Sequence, residues 1–352
     1  MTHTSPTVAM TDRDFEQVVL CRDPGAGLES VIAIHDTTLG PSLGGIRMRA
    51  YPDPDAAVAD ALNLAQAMTY KAALAGLALG GGKSVINADP TAPNRRELLT
   101  AHARYINSLA GRYIPAVDMG TTVTDLELVG QYVPRVSSQR RDPSSFTAQG
   151  VVAAIRAAVR VSEDTSLAGV RVAVQGLGHV GRLVVGLLTR EGAQVLVSDI
   201  DARPVAAVVA ETGATAVPID DVLVEDVDVV CPCATGGVIT EPVLEQLKAR
   251  YVIGAANNVL ADAPGLADQL AQRGVIHVPD FVANAGGLIA CEAEIRGGDT
   301  DLADRVEGIG TTTHELLQRA GAERRSTVAV AVELAQARLD QRRAQRPYFA
   351  TR

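Results

Sequence analysis

Apolar positions change their spacing near the middle of the chain. In the first part, Val18-Val19-Leu20 and Val31-Ile32-Ala33-Ile34 are apolar runs of strand length, while Asp55 to Thr69 repeats its apolar residues at helical spacing. A polar, proline-containing stretch, Ser137-Ser138-Gln139-Arg140-Arg141-Asp142-Pro143-Ser144-Ser145, then interrupts the pattern. Beyond it, short β-branched runs (Val170–Val174, Gln194–Ser198, Val227–Val230, Tyr251–Ile253, Val275–Val278) alternate with helical stretches such as Val180–Glu191 and Ala263–Arg273. That rhythm predicts a doubly wound parallel sheet covered by helices on both faces. The expected organisation is α/β: an α+β domain over residues 1–142, a doubly wound domain over 143–327, and a charged C-terminal helix, Val328 to Arg346, within a segment 328–352 that packs back on the first domain.

A length of 352 residues agrees with two domains, since single cores stop growing at about 250–300 residues. With 47% hydrophobic and 21% charged residues the chain reads as folded, and its net charge of −9 argues against an obligate nucleic-acid binder. No run reaches the roughly 20 apolar residues of a membrane span, and Met1 to Asp12 lacks the order of a signal peptide, so no membrane partner and a cytoplasmic location are expected. Four cysteines (Cys21, Cys231, Cys233, Cys291) form neither a disulfide framework nor a metal-binding spacing, so no metal is expected. The one local cluster, Cys231-Pro232-Cys233, lacks further ligands and helix-initiating cues, and reads as core thiols. Among 32 basic residues only Lys71, Lys83 and Lys248 are lysine, a bias that turns each lysine into a question.

Gly176-Leu177-Gly178-His179-Val180-Gly181 follows one predicted strand and opens a helix, the context that a Rossmann dinucleotide fingerprint requires. Its glycines serve the turn, the approach of backbone to a pyrophosphate, and strand–helix packing, while the helix N-terminus offers N–H groups to phosphate. Asp199 ends the next predicted strand, 23 residues after Gly176, where a carboxylate accepts from a ribose 2′-hydroxyl and repels a 2′-phosphate. NAD is therefore expected over NADP, with Arg203 as the one counter-signal.

From Ala61 to Ala88 the only charged residues are Lys71 and Lys83. A lysine on an apolar run ordinarily snorkels to the surface. Here the neighbours are small, Gly80-Gly81-Gly82 allows another element to come close, and arginine would have snorkelled as well. What arginine cannot do is lose its proton near neutral pH, whereas a desolvated lysine beside another cation can act as a base.

Several segments together carry a family resemblance. Thr69-Tyr70-Lys71, Gly80 to Lys83, His35 to Met48, and Val117 to Asp125 resemble the leucine, valine and phenylalanine branch of the Glu/Leu/Phe/Val amino-acid dehydrogenases. So do Cys231 to Gly237, Gly254 to Asn258 and Pro279 to Gly287. The resemblance spans roughly residues 15–340. It implies NAD-dependent, reversible oxidative deamination of an L-amino acid with an aliphatic or aromatic side chain, giving the 2-oxo acid and ammonia. It also implies a homo-oligomer, with substrate and assembly functions in the first domain and NAD in the second. Lys71 would hold the substrate carboxylate. Lys83, lowered by burial and a cationic neighbour, would be the general base, and Asp118 would move a proton on the substrate nitrogen, although local sequence alone reads Asp118 as a helix N-cap. Gly44 and Gly45 would admit the carboxylate, and Leu43, Ala116, Thr313 and Leu316 would meet the side chain. Thr147 would bind the nicotinamide amide, and Asn284 would bridge cofactor ribose and substrate. Cys233, Ala234 and Asn257 would line the cofactor, with a turn role open for Asn257 and Asn258.

Some positions depart from the family pattern: Val117, the basic segment Val136 to Arg141, Val259, Ala290 to Glu294, and Thr313, whose hydroxyl makes room for a polar side chain. These departures keep two alternatives open, a biosynthetic dehydrogenase of an unusual amino or imino acid and a catalytically silent NAD-binding protein.

Overall fold

The computed structural model describes residues 10–137, 142–163, 166–298 and 300–345. The chain divides into two units: Met1–Asp142 with Cys291–Gly298 and Ala335–Arg352, and Pro143–Ala290 with Asp299–Leu334.

The first unit holds a five-stranded sheet of β1 (Gln17–Asp23), β2 (Leu28–Asp36), β3 (Ser42–Arg49), β4 (Gly80–Asn87) and β5 (Tyr113–Val117), in the order β1-β2-β4-β3-β5. The β1–β2 hairpin and the β2–β4 pair are antiparallel, whereas β3 runs parallel to both β4 and β5. Helix α1 (Pro54–Leu74) starts at Asp53, whose carboxylate accepts from the Ala56 N–H at 2.7 Å, with Pro54 in the first turn where its missing N–H costs nothing. It continues past the expected end at Thr69, so Lys71 lies in its last turn. Ala57, Val58, Ala61, Leu62 and Ala65 of α1 pack on Val31, Ala33 and Val85. On the opposite face, Ile32, Ile34, Ile46, Met48, Ile86 and Tyr113 meet Leu98, Leu99 and Ile106 of α2 (Arg95–Ser108) and Leu128 and Val129 of α3 (Val123–Val129). The two-residue period of β4 therefore turns Gly81, Lys83 and Val85 toward α1, and Ser84 and Ile86 away from it.

The second unit contains β6 (Arg171–Gln175), β7 (Gln194–Ser198), β8 (Thr215–Ala216), β9 (Val229–Pro232), β10 (Tyr251–Val252) and β11 (Ile276–His277), all parallel, in the order β11-β10-β9-β6-β7-β8. Counted from β6 this is the 3-2-1-4-5-6 order of a Rossmann sheet. Its helices are α4 (Ser144–Glu163), α5 (His179–Arg190), α6 (Ala202–Thr212), α7 (Glu241–Gln246), α8 (Ala263–Gln272), α9 (Asp280–Ala283) and α11 (Leu302–Glu323), with the first parts of α10 (Gly286–Arg296) and α12 (Thr327–Gln345), whose remainders from Cys291 and from Ala335 belong to the first unit. One sheet face buries Ala173, Val230 and Val252 against Leu244, Leu266 and Leu270. Helix α5 packs on β6 and β7, and α4 packs on α5 and α11.

The run expected as a strand at Val227–Val230 is displaced to Val229–Pro232. Val227 closes a turn by donating to the Glu225 carbonyl, while the Pro232 carbonyl, needing no N–H of its own, accepts from Ala255 and Ala256. Late chain segments return to the first unit, where Arg343 of α12 pairs with Asp36 at 2.6 Å and Arg338 donates to the Ala73 carbonyl at 2.8 Å. Residues 138–141 of the expected basic segment, and Arg346 of the expected last helix, lie outside the described residues. Among the described residues no helix is long and apolar enough to cross a membrane.

Candidate active site

Three strands and one helix of the first unit bring four charges into a chain. Lys83, at only 5% exposure, leaves β4 on the α1 side and places its Nζ 3.0 Å from Asp118 Oδ2. The same oxygen accepts from Arg47 Nε of β3 at 2.8 Å, and Arg47 Nη1 reaches Asp60 of α1 at 2.9 Å. Tyr51 closes the chain by donating its hydroxyl to Asp60. Asp118 follows directly on β5, and it can stand beside Lys83 because β3 has no side chain at Gly45: a Cβ there would lie 2.5 Å from Asp118 Cβ. A Cβ on Gly44 would meet the Gly82 carbonyl at 1.7 Å. Both glycines are thus required by strand packing within this unit.

Burial of this chain sets its protonation. Desolvation lowers the Lys83 ammonium, with the Arg47 charge adding to the effect and Asp118 opposing it. Burial pushes the Asp118 carboxyl up, but Lys83 and Arg47 outweigh it and hold the group below its ordinary range. Desolvation likewise acts downward on Arg47, yet Asp118 and Asp60 carry it above the ordinary arginine value. Arg47 is a cation that lowers Lys83. Arg47 and Asp60 were not singled out from sequence. The available signal was a lone arginine within Ser42–Met48, on the same alternating face as Gly45.

The N-cap alternative for Asp118 is corrected. Helix α3 is capped by Thr122 in a reciprocal box with Asp125, and the Asp118 carboxylate belongs to Lys83 and Arg47. Lys71 lies half-buried at the end of α1, next to Thr69, whose N–H sits 2.1 Å from where a Gly81 Cβ would be. Leu43 and Ala116 are buried on β3 and β5.

In the second unit, Gly176 turns the chain at φ +93°, a conformation suited to glycine, and donates its N–H to the Ser198 carbonyl at 2.8 Å. A Cβ on Gly181 would meet the Gly176 carbonyl at 1.9 Å, whereas a Cβ on Gly178 would meet no protein atom within 4 Å. The turn is closed on its inner side and open at Gly178, with His179 exposed and Val180 half-buried where α5 begins. Asp199 accepts from the Leu177 N–H at 2.6 Å, tying the end of β7 to the turn. Arg203 is engaged by Asp201 at 2.6 Å, and Ile200 is 93% exposed beside Asp199.

Asn284 is buried. Its Nδ2 donates to the Ala255 carbonyl at 3.0 Å and to Asn257 Oδ1 at 2.9 Å, while its Oδ1 has no partner. Asn257 thus supports Asn284. Asn258 takes the turn role, with φ +53° and its N–H donating to Asp280 at 2.8 Å. Thr147 donates to the Pro143 carbonyl at 3.2 Å and lies against Gly287, so the Asn284 segment and the start of α4 come together. Cys233 packs on Gly181 and Ala234 on Gly176. Thr313 and Leu316 lie on the buried stripe of α11, and the Thr313 hydroxyl has no partner.

These residues fit a dinucleotide: an open glycine turn at a helix N-terminus, a carboxylate at the next strand end, and an orphaned buried carbonyl oxygen on Asn284.

Comparison with known proteins agrees with both halves. Residues 15–134 match the model of the Glu/Leu/Phe/Val dehydrogenase dimerisation domain, and residues 140–213 and 202–329 match the Glutamate/Leucine/Phenylalanine/Valine dehydrogenase model. The chain is 42% identical to a leucine dehydrogenase of Bacillus subtilis over 97% of this chain and 95% of that one. It is 40% identical to a valine dehydrogenase of Streptomyces albus, covering 94% of each. The crystal structure of L-tryptophan dehydrogenase from Nostoc punctiforme superposes with a TM-score of 0.85 at 36% identity, covering 96% of this chain and 98% of that one.

Proposed function

Because the chain belongs to the Glu/Leu/Phe/Val dehydrogenase family, amino-acid dehydrogenases that work with a nicotinamide cofactor, we propose that it interconverts an L-amino acid carrying an aliphatic or aromatic side chain with its 2-oxo acid and ammonia, using NAD. The observation that carries this reading is the Lys83–Asp118–Arg47 chain, in which a buried, lowered amine is hydrogen-bonded to a partly buried, ionised carboxylate. In the deaminating direction, Lys71 holds the substrate carboxylate as a fixed cation. Asp118 accepts a proton from the substrate nitrogen. The bound nicotinamide supplies the hydride acceptor. Lys83 then takes a proton from the water that adds to the imine carbon and releases it to solvent, and Asp118 returns a proton to the nitrogen. Ammonia departs as Lys83 takes the hydroxyl proton, leaving the 2-oxo acid. Asn284, Thr147 and the Gly176–Gly181 turn hold the cofactor. Asp199 supports NAD over NADP because it presents a carboxylate where a 2′-phosphate would sit, and the adjacent bare Ile200 offers an apolar face to an adenine ring.

Buried Leu43 and Ala116 favour an apolar substrate side chain. A second reading, an unusual or polar amino acid, is favoured by the partnerless hydroxyl of Thr313. The family description of residues 15–134 as a dimerisation domain supports a homo-oligomer, to be read by native mass spectrometry, and four cysteines whose spacing is not that of a disulfide framework support a cytoplasmic location.

The test is NADH formation at alkaline pH across a panel of L-amino acids, with NADP in parallel. Turnover of leucine, valine or aromatic substrates with NAD is expected, while turnover confined to polar or imino substrates selects the second reading. NADH binding without any turnover would sink the enzymatic reading in favour of a silent cofactor-binding protein. Lys83→Arg should lower kcat by roughly a thousandfold and leave NADH affinity nearly unchanged, since arginine keeps its proton.

A further inference from the structure

Cys231 and Cys233 play no part in the proton transfers above. Alternation along β9 and the residue beyond it turns both side chains to the same face, with their sulfur atoms 3.7 Å apart. Cys231 is buried and Cys233 is partly exposed, and both are free thiols. Cys233 also forms one wall of the glycine turn: a Cβ on Gly181 would stand 3.2 Å from Cys233 Cβ, and the next residue, Ala234, lies against Gly176. The hydrogen bond that the two thiols share pulls Cys233 down and, together with burial, holds Cys231 up. An accessible attacking sulfur thus has a protonated partner within reach.

We propose that Cys231 and Cys233 are a dithiol site for hydroperoxides, which closes to a disulfide and thereby loosens the dinucleotide turn; the second clause rests on reading Gly176–Gly181 as the cofactor turn. The Cys233 thiolate attacks the peroxide, forming an S–O bond as the O–O bond breaks, and the alkoxide or hydroxide leaves and takes up a proton. Cys231 sulfur then attacks the sulfenic sulfur, forming S–S as S–O breaks, and its proton leaves with the hydroxyl as water. Two thiols are oxidised and one hydroperoxide is reduced. Closing 3.7 Å to a bond of about 2 Å draws Cys233 toward Cys231 and so shifts a side chain that packs on Gly181.

The experiment treats the full-length protein with hydrogen peroxide, maps disulfides by peptide mass spectrometry, and measures NADH affinity by fluorescence titration before and after. A Cys231–Cys233 bond is expected, with NADH affinity weakened roughly tenfold and restored by dithiothreitol. Cys231→Ala should bind NADH normally before treatment but lose dithiothreitol rescue, because the Cys233 sulfenic acid then has no resolving thiol and over-oxidises. Oxidation at Cys21 or Cys291 in preference to the pair overturns the dithiol assignment, and a bond that forms without changing NADH affinity overturns its effect on the turn. Absence of NADH binding before any oxidant is added would instead count against the cofactor reading, while the disulfide map still reports on the thiol pair.

Discussion

At the scale of single residues, the arrangement to explain is an amine, a carboxylate and a guanidinium sharing one oxygen. Asp118 Oδ2 receives both Lys83 and Arg47, so it cannot favour one cation without loosening the other. Arg47 has two effects: its fork links Asp118 to Asp60, and its charge helps lower Lys83. These effects separate by substitution. Arg47→Gln removes the charge, so the Lys83 pKa rises and the ascending limb of the kcat/KM profile should move to higher pH. Arg47→Lys keeps a charge but loses the fork, so kcat should fall by about tenfold with the limb near its original place. Unmoved pH limbs in both variants would show that Arg47 only braces the fold.

At the scale of elements, the glycine turn separates packing from recognition. A Cβ at Gly178 meets no protein atom within 4 Å, and its φ of −67° suits any residue. Gly178→Ala should therefore leave the melting temperature unchanged and weaken NADH roughly tenfold, as read by thermal melts and fluorescence titration. Equal NADH affinity would mean that no phosphate approaches the turn there. This β6–α5 element was legible from sequence because its signals are local: a β-branched run, spaced glycines, and a carboxylate closing the next strand. Strands β3 and β4 were not, since Gly44, Gly45 and Gly80–Gly82 erase the β-branched signature. Their glycines answer to neighbours distant in sequence, such as Thr69 of α1 and Asp118. Lys83 drew attention by being isolated among apolar residues, but its partners at 47, 60 and 118 converge only through strand pairing and helix packing, which no local pattern encodes.

At the scale of the whole molecule, two buried histidines tie stability to pH. Burial lowers His102, held between Ser30 and Ser84, to about 3, and lowers His277 to about 4, from an ordinary 6.5. Below 6.5 the unfolded chain takes up protons that the folded chain refuses. Stability should therefore fall as pH drops through that value, by up to about 1.4 kcal/mol per pH unit for each group, and be insensitive to them above it. Thermal melts between about pH 7 and about pH 5 check this, and His102→Gln should flatten the slope. The division of the chain carries a different consequence. Passing from one unit to the other at residues 142/143, 290/291, 298/299 and 334/335, the polypeptide crosses four times. A gene fragment ending at Asp142 would lack two stretches of its own unit, among them the arginine that neutralises the buried carboxylate of Asp36. Such a fragment should melt without a sharp transition. For the same reason, one protease cut at any single crossing should leave the halves joined by the remaining three, so a nicked sample would run as two bands only after denaturation.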